Sequence, residues 1–203
     1  MKKLTIICFC LLIPIIIIPL TSVINLNKTH KTEEATHIST NDEVDVYELS
    51  EEEADYIACN AMMYINENTH NGTKEALIAI CRNNFLFEEE NNISHKEIKI
   101  ANYSDTLLKE LKDTLKNEIN IFLDKNRVYI PIEEISAGFI ATSDEYPYIS
   151  PVASPWDVFN EKYSKEVSQN CGISVAGINY LCEKGYDSLE ALKWYLPNFT
   201  IKS

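Results

Sequence analysis

Apolar residues fall along this chain in three distinct rhythms. From Leu4 to Val23 they run almost without interruption and no residue is charged. That is about the 20 residues a helix needs to cross the ~30 Å hydrocarbon layer. Residues 24–44 carry no apolar period and are rich in Asn, Thr, His and Glu, the composition of a flexible tether. Beyond residue 44 the apolar positions recur at helical spacing. Ser50-Glu51-Glu52-Glu53 is a capping box, and Ala54, Ile57, Ala58, Ala61, Met62 and Ile65 follow on one face, predicting a helix near 50–65.

After a polar break over 66–72, Thr73 caps a second expected helix, with Leu77, Ile80, Cys81 and Phe85 on one face. Residues 88–95 read as an acidic, Asn-rich loop. Leu107, Leu111, Leu115, Ile119 and Phe122 make the clearest stripe, which predicts one long helix over 104–125 stopped at Asn126. Residues 127–132 alternate as a strand does, and 135–153 hold the Gly, Pro, Ser and β-branched residues of strands and turns. Ser154-Pro155 opens a helix with proline at its first position. A further helix is expected near 173–184, ending at Gly185, and a last one capped by Ser188 and closed by Pro197. The fold class is therefore α+β and helix-rich, behind an N-terminal transmembrane helix. Its divisions are an anchor over 1–23, a tether over 24–44 and an outer domain over 45–203.

Charge sharpens this. The formal net charge is −13, and all 31 acids lie beyond residue 23, whereas Lys2 and Lys3 precede the apolar run. Basic residues ahead of a span hold that end inside, so the acidic remainder is expected on the outer face of the membrane. Such a surface repels phosphate backbones and argues against nucleic-acid binding. Cys59, Cys81, Cys171 and Cys182 allow two disulfides in three pairings, or buried thiols; no Cys-x-x-Cys and no Cys/His pair at zinc spacing occurs.

Three stretches, in order, carry a resemblance. Tyr56-Ile57-Ala58 precedes Lys74-Glu75-Ala76-Leu77-Ile78-Ala79-Ile80-Cys81-Arg82-Asn83. Ile135-Ser136-Ala137-Gly138 precedes Pro147-Tyr148-Ile149-Ser150-Pro151-Val152-Ala153-Ser154-Pro155-Trp156-Asp157. Gly172-Ile173-Ser174-Val175-Ala176-Gly177-Ile178-Asn179-Tyr180-Leu181 precedes Gly185-Tyr186-Asp187 and Trp194-Tyr195-Leu196-Pro197. Together they resemble the stage II sporulation protein D / amidase enhancer LytB family over about residues 56–201.

The resemblance implies a cell-wall protein acting on peptidoglycan during spore formation. The sporulation members it resembles are lytic transglycosylases that cut glycan strands freed of stem peptides. Such a cut needs a carboxylic acid kept protonated by an apolar setting. The family's glutamate position falls on Tyr64 and its following proline on Asn66. Glu67, three residues on, is the nearest acid that could take the part; on a continuing helix it would share a face with Tyr64. Trp156, Ser174 and Asn179 are the candidate substrate-binding residues. The family's zinc is not matched: its first histidine position falls on Glu133, its Gly-His-Gly on Ser168-Gln169-Asn170, and His30, His37, His70 and His95 match neither. No metal or other cofactor is expected. With its acid replaced, the chain reads as a glycan-binding or scaffolding relative. The alternatives are an active transglycosylase using Glu67, or a partner that regulates a cell-wall amidase. Its expected partners are peptidoglycan glycan strands, other envelope or sporulation proteins, and the membrane through residues 4–23.

Overall fold

The computed structural model describes residues 47–100, 103–133, 146–150, 152–162 and 172–203. The expected span over 4–23, the tether, most of 135–153, the 168–170 motif, Cys171, His30 and His37 lie outside them. Among the described residues no helix is long and apolar enough to cross a membrane.

The described chain folds as a helix-rich α+β domain. Helix α1 spans Glu51–Met62, with the expected capping box: Ser50 and Glu53 each accept from the other's backbone N–H. Helix α2, Asn71–Glu90, is capped by His70, whose Nδ1 accepts from the Gly72 N–H, and not by Thr73. It runs five residues past Phe85, taking in Glu88, Glu89 and Glu90, which the acidic composition had placed in a loop.

Helix α2 is buried on two opposite faces. Ala76, Ala79 and Ile80 pack into one core with Ile121, Ile130, Ile149, Ile178, Leu181, Leu192 and Tyr195. Leu77, Ile78, Cys81, Phe85 and Leu86 pack into a second core with α1 and with Leu107, Leu111 and Leu115. Each fully buried aliphatic side chain contributes roughly 1.5–3 kcal/mol of transfer free energy.

The long helix expected over 104–125 is divided. Helix α3 covers Asp105–Thr114, a 3-10 turn covers Leu115–Asn117, and strand β1 covers Asn120–Phe122. Glu118 sits at φ 44°, a left-handed conformation that ends the helix. Asp124 and Lys125 are left-handed too, and make the two-residue turn between Leu123 and Asn126. Ile119 is buried as expected, but from an extended chain.

Residues 127–131 form no regular strand. Their backbone is paired instead with α2 side chains. Asn84 Nδ2 donates to the Ile130 carbonyl at 2.7 Å and its Oδ1 accepts from the Ile130 N–H at 2.8 Å, while Asn83 Nδ2 donates to the Val128 carbonyl at 2.8 Å. Two amides thus do for this segment what a neighbouring strand would. Strand β2, Ile132–Glu133, pairs in parallel with β3, Ile173–Ser174. Helix α4, Pro155–Val158, opens on proline. Helix α5, Val175–Glu183, and helix α6, Ser188–Tyr195, follow, and α6 is capped by Asp187 in a box with Glu190, so Ser188 is its first residue and not its cap. Strand β4, Thr200–Lys202, closes antiparallel onto β1. Cys59, Cys81 and Cys182 are free thiols. Burial pushes the Cys81 thiol up to about 12, which keeps it protonated and unreactive.

Gly177 brings α5 against α6. A Cβ there would overlap the Tyr195 hydroxyl and lie 2.9 Å from the ring carbon that bears it. Tyr195 is fully buried and has no room to retreat. Gly177→Ala is expected to cost about 1–3 kcal/mol, read as a lower urea midpoint with an unchanged m-value.

Candidate functional site

The end of α1 borders a cleft. The helix stops at Met62, and Met63, Tyr64 and Ile65 turn away through bonds from Met63 N to Asn60 O and from Tyr64 N to Ala61 O. The loop that follows is tied within itself. Asn68 N–H donates to Asn66 Oδ1 at 2.9 Å, Asn66 N–H to Thr69 Oγ1 at 3.1 Å, and Thr69 N–H to the Asn66 carbonyl at 3.1 Å. It is anchored at its far end by His70 N–H, which donates to Asn179 Oδ1 at 3.1 Å.

A cleft of about 640 Å³ opens between this loop and the start of α3. Met62 to Asn68 form one side, and Lys99, Tyr103, Ser104 and Leu107 form the other. Tyr103 is 57% exposed and Met63 45%. Glu67 is exposed and its Oε1 accepts from the Ser104 hydroxyl at 2.5 Å, bridging the two sides. Ser104 also caps α3 by accepting from Leu107 N–H. Tyr64 and Glu67 therefore line one cleft, but not as successive turns of a helix, because α1 has already ended.

Lys74 is the hidden support of this arrangement. It sits on α2 with 4% of its side chain exposed, and its ammonium donates to both Glu110 oxygens, at 2.9 and 3.0 Å, and to the Glu67 carbonyl at 3.1 Å. One cation thus joins α2, α3 and the Glu67 loop, with all three of its donors used. A second hollow of about 460 Å³, beside Asn71, Glu75, Glu110 and Asp113, contains three carboxylates, each already partnered, Asp113 by Lys116. Glu75 accepts from Asn117 and Ser188, and Glu110 from Lys74.

The other candidates stand apart from the cleft. Ser174 is fully buried, and its hydroxyl caps α5 by accepting from Gly177 N–H at 3.0 Å, so it presents nothing to a substrate. Asn179 holds structure: Oδ1 accepts from His70 N–H and the Thr73 hydroxyl, and Nδ2 donates to Glu183 at 2.6 Å. Trp156 is 8% exposed and one side of its ring meets Tyr180, with centroids 4.7 Å apart. None of the three is among the residues that line the cleft.

Among the described residues no group of three or more His, Cys, Asp or Glu is arranged to hold a metal ion. His70 is spent on a helix cap, and His95 lies between Glu88 and Glu89.

The residues that sequence reasoning missed are Lys74, Lys99, Tyr103 and Ser104. A lysine in the expected second helix reads as solvent-facing, and only the packing of α3 against α2 buries it. Ser104 before Leu107 is a readable helix start, but nothing local shows that it faces Glu67.

No family model and no curated protein matches this chain.

Chemically, the cleft offers two phenol rings, two amides, one carboxylate and one ammonium. Among the described lining residues the one carboxylate, Glu67, is exposed and already accepts from the Ser104 hydroxyl. Lys74→Met should leave Glu110 without its partner and free the Glu67 loop. The expected loss is about 1–3 kcal/mol of stability, discounted because Glu110 is 39% exposed. Faster amide exchange over residues 66–70, beyond the change in α1, is the accompanying signature, and unchanged exchange there would contradict it.

Proposed function

We propose that this chain is a membrane-anchored, sporulation D-like protein of the cell envelope that binds peptidoglycan glycan strands without cutting them. On this reading residues 4–23 hold it in the membrane and the acidic domain lies outside, where the wall is. The order of the three family-like stretches supports the placement.

The observation that carries the binding role is the pairing of Tyr64 and Tyr103 with Asn66, Glu67 and Asn68 in one cleft. Sugars present flat patches of C–H groups and rims of hydroxyls. Aromatic faces cover the former, and planar amides and carboxylates bond the latter. A loop already closed by its own hydrogen bonds loses little entropy when a ligand settles on it.

The absence of cutting follows from the acid. Protonating a glycosidic oxygen needs a carboxyl in an apolar pocket. Tyr64 stands where the resemblance puts that acid, and a phenol, with an ordinary pKa near 10, is a poor proton donor at neutral pH. Glu67 is exposed and hydrogen-bonded among polar groups.

Purified residues 45–203 are expected to co-sediment with glycan strands stripped of stem peptides and to leave no cleared zone in a zymogram. Tyr103→Ala and Tyr64→Ala should each weaken binding about tenfold. A cleared zone that disappears with Glu67→Gln would replace this reading with an active transglycosylase that uses Glu67.

A further inference from the structure

Lys99 reaches the rim of the cleft from residues 93–100, which lead from α2 towards α3 and contain neither helix nor strand. Backbone bonding gives this segment little hold, since the Ile93 N–H donates to the Glu88 carbonyl at its start and the Tyr56 hydroxyl reaches the Lys96 carbonyl at 3.4 Å. Ile100 packs against the core shared by α1, α2 and α3 at the far end, and the polar attachment in the middle is His95. Its ring stacks on Phe85 of α2, centroids 4.7 Å apart and planes 15° apart, and leans on Tyr56 of α1 at 4.9 Å.

Both imidazole nitrogens meet carboxylates: Nδ1 is 2.8 Å from Glu88 Oε2, and Nε2 is 2.6 Å from Glu89 Oε1. An ionised carboxylate only accepts, and a neutral imidazole has a single N–H. The neutral ring would satisfy one glutamate and set a lone pair against the other. Only the imidazolium donates to both, so the seat is shaped for the charged ring. The groups facing it are Glu88 and Glu89 from α2 and Tyr56 from α1. Glu53 of α1 also feels its charge, while bonded to Tyr47 and Ser50. Lys96 and Glu97 follow it in the chain.

Burial draws the His95 pKa down, but the hydrogen bonds and charges of Glu88 and Glu89 outweigh it, and the net direction is upward from the ordinary value near 6.5. A group raised in the folded state stabilises it fully below its unfolded value, and that contribution is lost as pH rises through the folded value.

We propose that protonated His95 is a latch that fixes residues 93–100, and with them the Lys99 rim of the cleft, onto α1 and α2, so that the cleft is firm in mild acid and loosens in mild alkali. The latch stands on its own geometry; it depends on the glycan reading only for the ligand it regulates.

Hydrogen exchange of the full-length protein in detergent, at pH 6 and pH 8.5 and corrected for intrinsic rates, tests it. Protection of the Ile93 amide, whose bond to the Glu88 carbonyl closes the start of the segment, should fall about threefold or more between the two, relative to the middle of α2. His95→Gln, which keeps a planar polar side chain without the titration, should remove that step. Equal protection at both pH values in the wild type, or the same step in His95→Gln, would overturn the latch. Binding to stripped glycan should weaken at pH 8.5 in the wild type and not in His95→Gln. Binding that is present but unchanged by pH would overturn the coupling to the cleft. Absence of binding at every pH, with the exchange step intact, would count against the glycan reading while supporting the latch.

Discussion

Helix α2 has to hide apolar side chains on two opposite faces and polar ones between them, and the rest of the domain is arranged around that demand. Ala76 and Ile80 look into one core, Leu77 and Cys81 into the other. Thr73, Lys74, Arg82, Asn83 and Asn84 are buried with them, and a buried polar group without a partner costs several kcal/mol. Neighbouring elements supply most of the partners, although the Arg82 Nε has none among the described residues. Asn120 accepts from Arg82, the backbone of Val128 and Ile130 satisfies Asn83 and Asn84, and Glu110 answers Lys74.

The cleft is a by-product of that last pairing. Lys74 draws Glu110 of α3 and the carbonyl of Glu67 to one point, and the Ser104 hydroxyl then meets the Glu67 carboxylate across the gap. Tyr64 and Tyr103 line the same cleft as these polar groups. Planar amides and a carboxylate held in this way can meet hydroxyl groups of a ligand. The proposed envelope role rests on this cleft together with the order of the three family-like stretches.

Much of the fold is legible in the residues, where local chemistry decides. The capping box at Ser50, the proline at the start of α4 and the presence of helices near 173–184 and 188–196 follow from short-range signals, although the last cap is Asp187 and not Ser188. The failures occur where distant contacts decide. The Leu107 to Phe122 stripe fits a helix throughout, but β1 gains more by pairing with β4, and Glu118 takes the left-handed turn that permits it. Asn83 and Asn84 look like solvent-facing residues until the 128–130 backbone arrives to use them. Tyr64 and Glu67 were found through the family-like spacing, not through a shared helix face. Tyr103 and Lys99 lie more than 30 residues along the chain from them, and no local pattern announces that meeting. Ser174 and Asn179 lie in a family-like stretch but serve as a cap and a brace.

The central claim is that the Tyr64–Tyr103 cleft is where glycan is held. It is tested most directly by assigned amide chemical shifts of the outer domain titrated with a short oligosaccharide of alternating N-acetylglucosamine and N-acetylmuramic acid. The account predicts saturable shifts concentrated at residues 63–68, 99 and 103–107. Shifts confined instead to the Trp156, Tyr180 and Tyr186 surface, or no saturable shifts at all, would contradict it.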